Sequence, residues 1–132
     1  MKKILALLLA AVMVLCLFTG CASSGGSKVI KIGVFEPQSG DNGAGGKQEV
    51  LGIQYANSVK PTVTIGGEEY KIELDIQDNQ SSTDKAVSAA QQLVADKVSV
   101  VLGSYGSGVS IAASDTFKNA GVPAIGITCT NP

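Results

Sequence analysis

Histidine, arginine and tryptophan are absent from these 132 residues, and cysteine occurs only three times. Without histidine no Ser-His-Asp or Cys-His nucleophilic centre can form. A zinc site lacks its imidazole ligands as well. Without arginine the favoured bidentate clamp for phosphate is missing, and so is the basic footprint of a nucleic-acid binder. Glycine-rich stretches run from Gly40 to Gly46 and from Gly103 to Gly108, but neither has the G-x-G-x-x-G order, and no G-x-x-x-x-G-K-[ST] occurs. Asp78, Asp84 and Asp115 read as a strand end, a helix first turn and a solvated helix face. No cofactor is therefore expected, no metal and no enzyme.

What is present begins with an export signal. Lys2 and Lys3 precede the apolar run Ile4 to Phe18, which Thr19-Gly20-Cys21 closes. A short basic start, an apolar stretch and small residues at its end have the build of a signal peptide, and the run is marginal for a bilayer span of about 20 residues. Leu17-Phe18-Thr19-Gly20-Cys21 resembles the lipobox of bacterial lipoproteins, with Phe18 where leucine is usual. That resemblance implies cleavage before a lipidated Cys21 and a membrane-tethered, extracytoplasmic protein. Ser23-Ser24-Gly25-Gly26-Ser27 gives the tether slack. Residues 1–20 are thus expected to be the signal peptide, 21–28 a flexible lipid-anchored linker and 29–132 the folded part. Cleavage leaves eight lysines against eleven acids, a net charge of −3. Cys16 leaves with the signal, so Cys129 has no internal disulfide partner.

The folded part alternates strand and helix. Val29–Phe35 is a β-branched run followed by the turn-rich Glu36–Gly43. Ala44–Ser58 carries Val50, Leu51, Gln54, Tyr55 and Val59 near helical spacing, weakened by Gly45, Gly46 and Gly52. Thr62–Ile65 and Glu69–Ile72 flank Gly66-Gly67 as a hairpin, and Tyr70–Gln77 alternates as a half-buried strand. Ser81-Ser82-Thr83-Asp84 offers a helix start, with Ala86, Val87, Ala90, Leu93 and Val94 on one apolar face. Val98–Leu102 reads as a parallel strand covered on both sides. Val109–Asn119 is a helix with Ile111, Ala112, Phe117 and Ala120 in register, and Gly121 its left-handed cap. Val122–Ile127 is a last strand. This is the alternation of a doubly wound, Rossmann-like α/β sheet. It is small for that architecture, and the last strand has no covering helix, so a fragment of a larger protein is expected.

Ligands of open parallel sheets bind outside the carboxyl ends of the strands. Three loops qualify, Glu36–Gly46, Ser104–Gly108 and Thr128–Asn131, all rich in Gly, Ser and Thr. Small hydroxyls and helix N-terminal N–H groups suit a carboxylate. Ser107, between Gly106 and Gly108, either faces such an anion or caps its own helix, a role for which Ser110 competes. Thr128 and Thr130 either hold a charged head group or simply end a strand. Tyr105 and Gly108 complete the candidate ligand-binding set.

The order of motifs is specific. Lys31-Ile32-Gly33-Val34, Gly46-Lys47-Gln48, Asp78-Asn79-Gln80, Val101-Leu102-Gly103, Ala120-Gly121-Val122-Pro123 and Thr130-Asn131-Pro132 follow one another across Lys28–Pro132. This series closely resembles the branched-chain amino-acid (Leu/Ile/Val) binding proteins of ATP-driven importers. The resemblance implies a periplasmic-binding-protein lobe that captures an amino acid and presents it to ABC permease subunits. It puts the carboxylate-binding serine at Ser107, and residues holding the α-ammonium and carboxylate at Thr128 and Thr130. Many relatives carry an aromatic wall where this chain has Gly45. The cysteines that some relatives join fall on Ser81 and Gly106, and Cys129 stands where alanine is usual. Relatives close two lobes about a hinge; this chain is expected to be part of the first lobe and to bind weakly alone. A sensor domain of the same fold, binding an amide or peptide-like signal, is the alternative, and a secreted Rossmann-like enzyme a more distant one.

Overall fold

The computed structural model describes residues 28–131. The expected signal peptide, the lipidation expected at Cys21 and most of the expected linker lie outside these residues. Strand β1 (Lys28–Glu36) leads into α1 (Gly43–Val59), followed by the hairpin of β2 (Thr62–Ile65) and β3 (Glu68–Asp78). Helix α2 (Thr83–Ala95), β4 (Val100–Leu102), α3 (Ser107–Ala120) and β5 (Ala124–Ile125) complete the chain. The five strands lie in the order β2-β3-β1-β4-β5. Only the β2–β3 pair is antiparallel; β1 pairs in parallel with β3 and β4, and β4 with β5.

The apolar end of β1 places it at the centre of the sheet. Alternation sends Gly33 and Phe35 to one face, where Phe35 meets Leu93 and Ala90 of α2, Val101 of β4, and Phe117 of α3 in one core. The Phe35 and Phe117 rings meet edge to face, 5.6 Å between centroids. The other face carries α1. Gly46 lies against the carbonyl and ring of Pro37, which pins the helix at its N-terminal end. Further along, a groove of about 290 Å³ separates Ile53, Ala56 and Asn57 from Ile32, Ile72 and Leu102. Leu51, Tyr55 and Val59 are consequently 56%, 72% and 67% exposed, not on the packed face that their spacing indicated.

The expected helix ends are present. Ser82 caps α2 by accepting from the Lys85 N–H, with Asp84 in the first turn. Gly121 ends α3 at φ 68°. The packed faces are rotated from those read in the sequence: Ala89 turns inward and Val87 outward on α2, while Val109, Ala113 and Phe117 face the core and Ile111 faces solvent. Strand β4 is shorter than Val98–Leu102 because the Val98 N–H still bonds the Leu93 carbonyl; the ladder begins where Ser99 N–H meets Lys31 O at 2.8 Å. Strand β5 is two residues long, and Ile125 and Ile127 are exposed.

Candidate functional site

Because β1, β3, β4 and β5 are parallel, the loops that follow them emerge at one rim. The chain passes from β1 to β2 and β3 on one side and then crosses from β3 to β4 on the other side of β1, so strand order reverses at the centre of that rim. The first loop is held down by polar side chains. The Asp78 carboxylate accepts from the Gln38 N–H at 2.7 Å, the Gln80 N–H at 2.8 Å and the Ser39 hydroxyl at 2.7 Å. Burial works to raise its pKa, yet the Ser39 hydroxyl and the neighbouring backbone N–H groups together hold it below the usual value. The Ser81 hydroxyl accepts from Asn42 N–H and donates to Ser39 O.

Ser107 is the first residue of α3, and it does not cap the helix. The N-cap is Gly106, with no side-chain cap hydrogen bond. Ser110 does not cap it either, since its hydroxyl accepts from Ser104 N–H at 3.2 Å. Instead the Ser107 hydroxyl reaches across the rim and accepts from the backbone N–H of Thr130 at 3.2 Å and of Asn131 at 3.1 Å. The loops after β4 and β5 are thereby joined at the residues that the sequence singled out. Thr128 is exposed two positions earlier in the same loop, and Gly108 is exposed in the first turn of α3. The Cys129 thiol lies inward of them, 3.3 Å from Ser104 O and 3.1 Å from the Ser110 hydroxyl.

Tyr105 is 38% exposed at the rim, and its ring lies on Gly45. A Cβ placed at Gly45 would stand 2.7 Å from the ring's Cε2 and 2.8 Å from its Cζ. The aromatic that the resemblance finds missing at 45 thus has a spatial substitute contributed by the β4–α3 loop.

Several structural side chains of this rim escaped the sequence reading. Glu36, at the end of β1, is wholly buried, as are Asn79 and Ser104. Glu36 Oε2 accepts from Tyr105 N–H at 2.7 Å. Asn79 Nδ2 donates to the Ser104 hydroxyl at 2.9 Å and to Phe35 O at 3.3 Å. Burial above all, and then the Glu49 carboxyl beside it, push the Glu36 pKa up to about 8 against the downward pull of the Tyr105 N–H. A glutamate closing an apolar strand was the available signal; its partner Glu49 on α1 gave none. A cavity of about 430 Å³ lies between α3 and β5 and includes none of Ser107, Thr128 and Thr130. It is an apolar groove beside an uncovered edge strand, and the hydroxyl cluster at the rim is the better candidate for a polar ligand.

Hydroxyl and glycine turns gathered at the switch point of a parallel sheet have the arrangement of a binding lobe. The chain belongs to the periplasmic binding protein family, whose model matches residues 29–132. This is a family of binding proteins, not enzymes. Among curated relatives, Leu/Ile/Val-binding protein homolog 1 of Brucella abortus is 34% identical over 104 residues, covering 78% of this chain and 28% of that protein. Leucine binding protein LivK of Thermotoga maritima superposes with a TM-score of 0.70 at 33% identity, covering 79% of this chain and 29% of the other. The branched-chain amino acid transporter substrate binding protein LivJ of Streptococcus pneumoniae, solved with isoleucine, gives 0.69 at 36% identity, with 79% and 30% covered. A solute binding protein of an ABC transporter from R. palustris, solved with benzoate, gives 0.62 at 27% identity, with 74% and 27% covered. The chain spans under a third of the length of the curated relatives it matches, as a partial lobe of this fold does. The likeness to Leu/Ile/Val-binding proteins read from the ordered motifs therefore holds.

Proposed function

We propose that this chain is the first-lobe portion of an extracytoplasmic solute-binding lipoprotein that captures a branched-chain or related amino acid for an ABC importer. In this reading residues 1–20 are the signal, Cys21 carries the lipid, residues 21–28 are the tether and residues 29–132 form the lobe. The observation that carries the proposal is the use of the Ser107 hydroxyl. A hydroxyl has two acceptor sites and one proton. Thr130 N–H and Asn131 N–H take the acceptor side, so the proton is left to donate, and the partner it suits is an anion. The uncapped first turn of α3 adds backbone N–H groups and the positive end of a helix dipole at the same place.

Capture then needs no chemistry. The Ser107 hydroxyl and the α3 N–H groups replace water around a carboxylate, Thr128 and Thr130 complete the head-group contacts, and Tyr105 and Gly108 shape the entrance. The relatives solved with isoleucine and with benzoate both hold carboxylates, which agrees with a head-group site that tolerates different tails. Calorimetric titration of the full-length gene product with leucine, isoleucine, valine and benzoate is the test. Saturable heat with an amino acid supports the reading, heat with benzoate alone redirects it to aromatic acids, and no heat with any of them removes it. Retention of the product in the membrane fraction, lost on Cys21→Ala, checks the anchor.

A further inference from the structure

We propose that Glu36 keeps a proton that it donates to Glu49, and that this hydrogen bond holds the β4–α3 loop in the form that presents Ser107 at the rim. The inference deepens the binding reading by naming two positioning residues behind the ligand loop. It rests on an arrangement with too few donors. Glu36 is wholly buried, and one of its oxygens is taken by the Tyr105 N–H. Its other oxygen and both oxygens of Glu49 are buried with no hydrogen-bond partner among the described residues. Ionised carboxylates are acceptors only, and two of them side by side in a dry site repel one another. A proton on Glu36 turns this into a donor–acceptor pair: Glu36 Oε1–H donates to Glu49 while Oε2 still accepts from Tyr105.

The loop is built around this pair. Gly103 adopts φ 121°, and a Cβ there would strike the Phe35 carbonyl and Glu36 Oε1, so only glycine lets the chain lie on the carboxyl group. Two residues on, Tyr105 is tied by its N–H to the same group, and two further on stands Ser107. Among the described residues, Glu49 is the charged side chain that acts on Glu36. The register neighbour on β3 is Asp78, whose carboxylate is turned to Gln38, Ser39 and Gln80. The Tyr105 ring lies over Gly45, while its N–H is bonded to Glu36 Oε2. Among the described residues, the groups that shift Glu36 are Glu49 and the Tyr105 N–H. Loss of the proton would leave the Glu36 and Glu49 oxygens without a donor between them, and the cheapest relief is for the Gly103–Gly106 loop to lift and admit water.

The test needs no ligand, so it stands apart from the identity of the solute. In the full chain labelled with ¹³C and ¹⁵N, the Glu36 carboxyl signal is followed from pH 4 to 10 together with hydrogen exchange of the Tyr105 amide. The expected result is a Glu36 midpoint near 8, with at least a tenfold loss of Tyr105 protection, beyond the intrinsic pH effect, through the same midpoint. Glu36→Gln keeps an acceptor for Tyr105 and an N–H donor for Glu49, so Tyr105 protection should persist through pH 8 to 10. Glu49→Gln supplies a donor to an ionised Glu36, and the midpoint should fall by at least one pH unit even if the first variant does not fold. A wild-type midpoint below pH 6, or Tyr105 protection indifferent to the Glu36 titration, overturns the proposal. If isoleucine binds and these signals fail, the binding reading survives without the lock. If the signals appear and isoleucine does not bind, the lock survives without that ligand.

Discussion

At Ser107 the hydroxyl accepts from two backbone N–H groups, and in the proposed reading it also donates its proton to the ligand. Alanine removes both. The N–H groups of Thr130 and Asn131 belong to exposed residues, so water can replace the serine, and the cost to stability should stay within about 0.5 kcal/mol. The lost donor to a charged group is worth roughly 1.5–3 kcal/mol, or about 10- to 150-fold in affinity. Ser107→Ala should therefore keep its urea midpoint while isoleucine affinity falls by that factor in calorimetry. A fall in both together would mean that the hydroxyl serves the fold and not the ligand. The Tyr105 ring covers Gly45, the position at which the family resemblance expects an aromatic. Proximity between residues 60 apart in sequence is a tertiary fact, and no local pattern carries it. Ser107 and Thr130 were found because loops after parallel strands must share a rim. Glu36 and Glu49 were not, because an acid in a strand end and an acid in a helix are each ordinary by themselves.

Among the elements, local chemistry decided the boundaries and packing decided the faces. The Ser82 cap, the Gly66-Gly67 hairpin and the Gly121 stop are all where turn and cap residues indicate. The inward faces of the helices are less readable. On α3, Ile111 and Phe117 both fit an apolar periodicity, but the helix rolls to bring Val109, Ala113 and Phe117 onto Phe35 and Val101, leaving Ile111 58% exposed. On α1, contact at Gly46 fixes one end while the other diverges from the sheet, so apolar spacing overstated the packed face. Gly121 gives a clean test of the local rule. It sits at φ 68°, and a Cβ there would meet nothing within 4 Å. Any penalty for Gly121→Ala is thus backbone strain alone, about 1 kcal/mol. The urea midpoint should drop accordingly with no change in the Ser107 region of the NMR spectrum. A neutral result would show that α3 frays before Gly121.

For the whole molecule, two carboxyl groups at the same rim oppose each other in their response to pH. Asp78 has its pKa lowered on folding, so it contributes stability above its unfolded value of 3.8, and that contribution is lost as pH falls through the folded value. Glu36 is the reverse case. Its folded pKa is about 8 against 4.5 unfolded, so between those values the folded chain holds a proton that the unfolded chain has released. Stability from Glu36 is fully present below about pH 4.5 and declines until about pH 8. The two exposed ion pairs, Lys28–Glu68 and Lys71–Glu73, add little to this balance. The urea midpoint should therefore peak in acidic solution, between the unfolded values of 3.8 and 4.5, and slope down toward pH 8. Glu36→Gln removes the alkaline slope and leaves the acidic one, while Asp78→Asn removes the acidic slope and leaves the alkaline one. A profile flat from pH 5 to 8 in the parent chain would mean that Glu36 is ionised when folded, and that the rim is held together without its proton.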